Sequence, residues 1–378
     1  MDFLLDTVYY ILPFLFLLGI LVFVHEFGHF IIARACGVHV SAFSIGFGKT
    51  LWSRTDKHGT VWQIAVIPLG GYCQFLGDAD ASSSTSQEDV KKLSDEDKAH
   101  SFIFQPVWKK LAIVTAGPMF NYLFAIFIFA SIFFFIGNIV FPPIVGDVIE
   151  GSPAQKAMLE KNDRILSING HHITDFNDIT IEVSMAIDKD IQMKVQRGND
   201  ILDISLKLED LEYTDEQTGK VTKKPMIGIR SINSYEIERG PIPLFKSLKM
   251  AIMKTWSINS ATLRGVKQMI TGSRSSEEIG GIIRIAEMSG DISKQHDLVD
   301  FIVFIAVLSI NLGLINLFPI PLLDGGHILI YMIEMISRRE LTEKVKNIFF
   351  KFGVIIILTL MVFATWNDIV HLFKRWFS

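Results

Sequence analysis

Residues 25–29 read His25-Glu26-Phe27-Gly28-His29, two imidazoles and a carboxylate in an H-E-x-x-H arrangement. On a helix, positions i and i+4 project from one face a turn apart, as two ligands of a single zinc ion require. Glu26 falls on the adjoining side, where its carboxylate can take a proton from a water that the metal polarises. The setting strengthens this reading. The motif lies inside a long apolar run, and ionisable residues in a membrane helix are costly unless they face a cavity or a ligand.

Two histidines leave a zinc site short of its third protein ligand, which must come from elsewhere in the chain at similar depth. Asp324 is the best candidate. It follows an apolar run in Pro319-Ile320-Pro321-Leu322-Leu323-Asp324-Gly325-Gly326, where the prolines interrupt regular helix and the glycines permit a tight turn beside a metal. His327, three residues on, is the rival ligand. Asn121, Asn311 and Asn316 also sit within apolar runs. Amides at such depth either join helices or offer hydrogen bonds to an oxyanion or a substrate backbone.

The elements that must position these groups are long apolar helices. The chain is 49% hydrophobic, an ordinary mean, but its apolar residues are gathered into blocks at 8–24, 111–136, 299–322 and 350–366. Runs of about 20 apolar residues match a hydrocarbon core of roughly 30 Å, so four spans are expected. The first has no basic flank and no small-residue cleavage site after it, so an uncleaved span is expected there rather than a signal peptide. Arg34, Lys109, Lys110, Arg338, Arg339, Lys344, Lys346 and Lys351 cluster in two loops. This places the 34–110 and 337–351 loops in the cytoplasm and both termini outside, with Lys374 and Arg375 in mild opposition. Cys36 and Cys73 both fall on the cytoplasmic side and read as thiols. A net charge of −4 gives no nucleic-acid signal.

Between the blocks the sequence changes character. Segment 59–76 reads as two short strands, 61–67 and 72–76, around a Pro68-Leu69-Gly70-Gly71 turn. Such a hairpin could offer an edge for β-strand addition, with Val66, Gly70 and Gly71 as candidate substrate-binding positions. Residues 77–100 are polar and low in complexity, as in a flexible loop. The stretch 140–232 alternates apolar and polar residues in short runs with Asn-Gly punctuation, and Ser152-Pro153 reads as a helix start. A small α/β module is expected there, outside the membrane. Residues 241–290 are amphipathic and suit a membrane surface. The expected organisation is therefore 1–137 (two spans with hairpin and loop), 140–232 (inserted module), 233–297 (surface segment) and 298–378 (two spans).

In order and spacing, these residues resemble the site-two protease family of intramembrane metalloproteases, in its bacterial PDZ-containing branch. The likeness rests on His25–His29, on TAGPMFNYLFA (115–125) and on NLGLINLFPIPLLDGGH (311–327), with VIPLGGYCQFLG (66–77) similar to the family's membrane-associated hairpin and 144–170 similar to a bacterial PDZ domain. The sequence departs from the pattern at 279–286, where Ile282 and Arg284 stand in place of proline and glycine. The resemblance implies a mainly α fold: a four-span helical core with a membrane-associated β-hairpin and one inserted α/β PDZ domain. It also implies zinc on His25, His29 and Asp324, with Glu26 as base and Asn311 and Asn316 holding substrate. The implied partners are single-span membrane proteins, with a possible peptide ligand for the PDZ groove. The implied location is the bacterial cytoplasmic membrane, with the active site toward the cytoplasm. Two other classes fit parts of the pattern. A membrane-anchored scaffold would have no use for Glu26, and a metal transporter would need polar groups reaching both faces of the membrane.

Overall fold

The computed structural model describes residues 2–77, 94–186, 190–214, 221–232, 236–239, 241–272, 280–294 and 297–377. In chain order, α1 (Asp2–Ala35) is followed by β1 (Val40–Thr55), β2 (Val61–Phe75), α2 (Asp95–His100) and α3 (Val107–Phe135). An insertion comes next, with β3 (Gly137–Val140), β4 (Val145–Val148), α4 (Pro153–Lys156), β5 (Arg164–Ile168), β6 (His171–His172) and α5 (Phe176–Ser184). It continues through β7 (Asp190–Arg197), β8 (Asp200–Lys207), β9 (Glu209–Thr214), β10 (Val221–Met226), β11 (Ile229–Ser231) and β12 (Glu236–Arg239). The chain ends in helices α6 (Leu244–Ile270), α7 (Ile282–Lys294), α8 (Leu298–Leu317), α9 (Asp324–Ser337) and α10 (Glu343–Phe377).

Four of these helices are long and apolar enough to cross a membrane: Tyr9–Ala35, Val107–Phe135, Leu298–Leu317 and Lys344–Phe373. They agree with the four apolar blocks. The chain divides into two compact units, one of residues 1–130, 248–263 and 276–378, the other of 131–247 and 264–275.

In the first unit the helices meet through small residues. A Cβ on Gly28 would lie 2.5 Å from the Ala116 carbonyl oxygen, so α1 and α3 touch there backbone to backbone. The amphipathic residues after 241 form helices that pack on the spans. The Tyr122 hydroxyl of α3 donates to Asn259 of α6 (2.8 Å), and Asp368 of α10 accepts the backbone N–H of Gly281 and Ile283 at the start of α7 (2.8 and 3.0 Å). Asp368 thereby supplies the acceptor that a helix N-terminus lacks.

The second unit is built on a four-stranded antiparallel sheet in the order β6-β5-β7-β8. Strand β7 alternates exposed and buried residues along its length, and Ile191, Met193 and Val195 point into a core with Ile165, Ile168 and Ile179. Ser152 caps α4 and Pro153 takes its first turn, as the sequence suggested. Arg197 grips the buried Asp163 with two hydrogen bonds, of 2.8 and 2.7 Å.

The hairpin differs from expectation. Its turn is Asp56–Thr60, and Pro68–Gly71 lies within β2. Asp56 organises the turn by accepting the backbone N–H of His58 and Thr60 (2.8 and 3.1 Å), the Trp62 indole (3.0 Å) and the Arg34 guanidinium from the end of α1. Against the pull of desolvation, the Trp62 and Arg34 bonds and the two backbone bonds hold the Asp56 carboxyl below the usual carboxylate range. Asp-Lys-His-Gly supplies stronger turn chemistry than Pro-Leu-Gly-Gly, because Asp can bind the N–H two residues on and Gly59 takes a φ of 84°. The two strands double back into four short segments. Residues 42–45 pair with 71–74 on one side and with 61–64 on the other, while Thr50–Thr55 pairs with Val61–Ala65. Segment 71–75 is thus one edge and Thr50–Thr55 the other. Residues 78–93 of the expected flexible loop lie outside the described residues, and its end forms α2, capped by Ser94.

Candidate metal centre

Asp324 arrives beside the two histidines by a tight path. The Leu323 N–H donates to the Ile320 carbonyl (3.1 Å), closing a turn whose central residues are Pro321 and Leu322. Leu322 has a φ of 77°, the pattern of a type II turn with a leucine where glycine is usual. α9 then begins at Asp324, folded back onto the end of α8. A Cβ on Gly325 would sit 2.1 Å from the Phe318 carbonyl oxygen, and one on Gly326 would sit 2.5 Å from that of Ile320. The helix start that results places a carboxylate at a positive dipole end.

Three ligand atoms converge. His25 Nε2 lies 3.1 Å from Asp324 Oδ2, His29 Nε2 lies 3.5 Å from Asp324 Oδ1, and the two Nε2 atoms are 3.3 Å apart. Both histidines are buried. Asp324 Oδ2 is also buried. Three ligand atoms gathered at one point suit a shared cation, and two imidazoles with a carboxylate form a three-ligand zinc set that keeps a fourth position open.

Helix α3 backs both rings. His29 Nδ1 lies 2.9 Å from the Ile113 carbonyl oxygen, and His25 Nδ1 lies 3.0 Å from the Asn121 carboxamide. Gly117 is why the rings can come so close, since a Cβ there would be 2.2 Å from His29 Nε2 and 2.9 Å from His25 Cε1. Pro118 has no N–H to give the turn before it, which loosens the helix where it meets His29.

Glu26 meets the hairpin rather than α3. The backbone N–H of Cys73 hydrogen-bonds its carboxylate, and Gly71 passes so near that a Cβ would be 3.4 Å from Glu26 Cγ and 2.7 Å from Val22 Cγ1. Of the hairpin candidates, then, Gly71 is at the site. Gly70 lies under the Phe47 ring, where a Cβ would be 2.4 Å from Cε2. Val66 is on the 61–67 segment with an exposed side chain. Asn121, a candidate for helix adhesion or substrate binding, is fully buried behind His25. Asn311 accepts the Thr262 hydroxyl of α6 at 3.0 Å, and Asn316 is half-buried near the end of α8. The His327 ring lies against Phe350, centroids 5.1 Å apart, outside the converging set. Sequence reasoning overlooked Gly117, the Ile113 carbonyl and the Cys73 amide. Only Gly117-Pro118 left a trace, as helix breakers inside a span.

A membrane-embedded helical core with this trio and an adjoining carboxylate has the architecture of an intramembrane metallopeptidase. The chain belongs to peptidase family M50, whose profile matches residues 13–360. A Rhizobium meliloti (strain 1021) protein whose name carries the words zinc metalloprotease is 38% identical over 378 residues, covering 99% of this chain and 100% of that protein. One so named from Rickettsia conorii is 38% identical, covering 96% and 99%. The metalloprotease MmpA of Caulobacter vibrioides is 34% identical, covering 94% of each chain. Among solved structures, the PDZ domain of an SdrC-like protein from Listeria innocua aligns with 25% of this chain and 96% of that chain, at 22% identity and a TM-score of 0.20. The protein is a zinc metalloprotease and an integral membrane protein.

Proposed function

We propose that His25, His29 and Asp324 hold the zinc, that Glu26 is the general base, and that the reaction is hydrolysis of single-span membrane proteins within or beside the bilayer. The observation that carries this is the convergence of three ligand atoms from two elements, with the Glu26 carboxylate beside them and held by the Cys73 amide. Zinc at this position supplies Lewis acidity toward the scissile carbonyl and lowers the pKa of water. Glu26 accepts a proton from the attacking water as the C–O bond forms. It returns a proton to the amide nitrogen as the C–N bond breaks, and so ends as it began.

A membrane helix hides each scissile amide in its own hydrogen bonds, and exposing these in lipid is costly. The substrate must therefore be unwound and offered new partners. Of the two hairpin edges, segment 71–75 lies beside Glu26 and suits addition of an extended strand, with Asn311 and Asn316 holding the chain farther along. The bacterial relatives favour a bacterial cytoplasmic membrane, and the clusters of Lys and Arg favour the site facing the cytoplasm. The inserted module then lies outside, as a PDZ-type filter against bulky substrates or a reader of a peptide ligand.

Glu26→Gln should cut turnover by about 10²–10⁴-fold while zinc stays bound, because glutamine cannot take the proton and Glu26 is not a ligand. His25→Ala, His29→Ala and Asp324→Ala should lose both metal and activity. Metal analysis of the purified variants, alongside cleavage of a single-span substrate, decides between these roles. Full zinc occupancy in Asp324→Ala would remove Asp324 from the ligand set. Deleting residues 144–232 should admit substrates with large external domains, and unchanged size preference would end the filter idea.

A further inference from the structure

Asn121 is a fully buried amide in a membrane-spanning helix, and its surroundings hold it in one place. The Ser309 hydroxyl of α8 donates to its backbone carbonyl at 2.9 Å. Gly313 of α8 lets that helix close on it, since a Cβ at 313 would be 3.3 Å from Asn121 Cβ and 3.0 Å from the Pro118 carbonyl oxygen. Its carboxamide is placed with Nδ2 3.0 Å from His25 Nδ1 and with Oδ1 buried without a hydrogen-bond partner, so a half-turn of the amide would bring that unpartnered oxygen to the ring. A buried amide at this cost in a span marks either helix adhesion or a function. Ser309 already supplies polar adhesion between α3 and α8, and it uses the Asn121 backbone to do so.

We infer that the Asn121 side chain is a positioning residue for the metal centre, fixing the ring plane and tautomer of His25. The inference rests on the reading of His25 as a zinc ligand. An imidazole that ligates through Nε2 must carry its proton on Nδ1, and that N–H needs an acceptor. The two ends of a carboxamide exchange places by a half-turn about its last side-chain bond. With Oδ1 toward the ring, His25 Nδ1–H donates to it, and the Nε2 lone pair faces His29 and Asp324. With Nδ2 toward the ring, the tautomer reverses and Nε2 cannot ligate. His29 is served in the same way by the Ile113 carbonyl of the same helix. A single helix thus sets the donor face of both imidazoles, and Asn121 is the side chain that does so for His25.

The test uses the full-length protein in detergent, with zinc affinity measured by chelator competition and the absorption spectrum of the cobalt-substituted protein as a second readout. Asn121→Leu should weaken zinc binding by about 10–100-fold and alter the cobalt spectrum. Asn121→Asp keeps an acceptor for Nδ1–H and should bind zinc at least as tightly as the unmodified protein. A purely structural role would give the opposite ranking, because an added buried carboxyl disturbs packing more than an isosteric leucine. Unchanged affinity and spectrum in Asn121→Leu would overturn the inference. So would an Asn121→Asp protein that folds but binds zinc more weakly than the unmodified one, a result readable even if Asn121→Leu does not fold. His25→Ala in the same assay separates the two readings. Retained zinc there refutes the ligand assignment, whereas lost zinc with an indifferent Asn121→Leu refutes only the role of Asn121.

Discussion

The two compact units sort their residues in opposite ways. In the inserted module, Ile165, Ile168 and Val195 have no exposed surface, and polar residues cover the outside of β7. In the helical unit, large apolar side chains such as Phe16 (60% exposed), Phe127 (68%) and Val362 (67%) face outward, while His25, His29, Asn121 and Ser309 are buried. Water drives the first arrangement through apolar burial. Lipid gives no such drive, so the second is held by close backbone contacts at glycine and by internal polar pairs. The lesson is where each unit is fragile: the module to changes in its core and buried charge, the helical unit to anything larger than hydrogen at its glycines.

The largest effect that would test this contrast is at Gly117. An alanine there adds a Cβ at a point 2.2 Å from His29 Nε2, so the ring must leave its place or the helices must part. Gly117→Ala should abolish zinc binding and activity together, read by metal analysis and a cleavage assay. Normal zinc content would mean that packing at glycine does not govern the metal centre.

Next in size is the corresponding weak point of the module. Asp163 is buried, and Arg197 holds it by two hydrogen bonds. Asp163→Ala should destabilise the module by about 2–4 kcal/mol, seen as faster proteolysis between residues 140 and 232. Zinc content should remain full. Loss of zinc in this variant would show that the units do not fail separately.

A smaller effect is expected at Gly71. Its missing Cβ leaves room for Ser44, Val22 and Glu26, with the first two closer than 3 Å to where that atom would be. Gly71→Ala should push segment 71–75 off Glu26 and lower turnover about 10–100-fold, the usual penalty for misplacing a catalytic group by an ångström. Zinc should be unaffected, since Gly71 touches no ligand. A parallel fall in zinc would show that the hairpin supports the metal as well as the base.

Much of this contrast was legible in the sequence because it depends on local pattern. The four spans follow from apolar run length, the module from its period-two alternation, and the two histidines from helical spacing. Asp324 could be picked out because a carboxylate after an apolar run needs a reason to be there. The hairpin was misread, since Pro68-Leu69-Gly70-Gly71 looks like a turn whereas Asp56, bound by Arg34 from α1, makes the real one. That choice depends on a contact between residues 22 apart, which no window of local propensity contains. The partners of the imidazoles were hidden for a related reason. One is a backbone carbonyl, present at every position, and the other is an asparagine whose direction is set by packing against α8.

The smallest expected effect concerns the turn that delivers Asp324. Leu322 holds a φ of 77° with its side chain 46% exposed, so little burial is lost by shortening it, while the left-handed backbone costs any L side chain about 1–2 kcal/mol. Leu322→Ala and Leu322→Gly remove the same packing, but only glycine relieves the backbone. Part of that relief is offset by the greater freedom of glycine in the unfolded chain. Leu322→Gly should therefore be the more stable of the pair by about 0.5–1 kcal/mol, read from thermal melting of both proteins in the same detergent with zinc present. Asp324 begins the next helix and does not share the strain, so zinc affinity should be alike in both. A more stable alanine variant would mean that the positive φ is not a cost here. A glycine variant with weakened zinc would mean instead that the strained leucine helps to fix where the third ligand points.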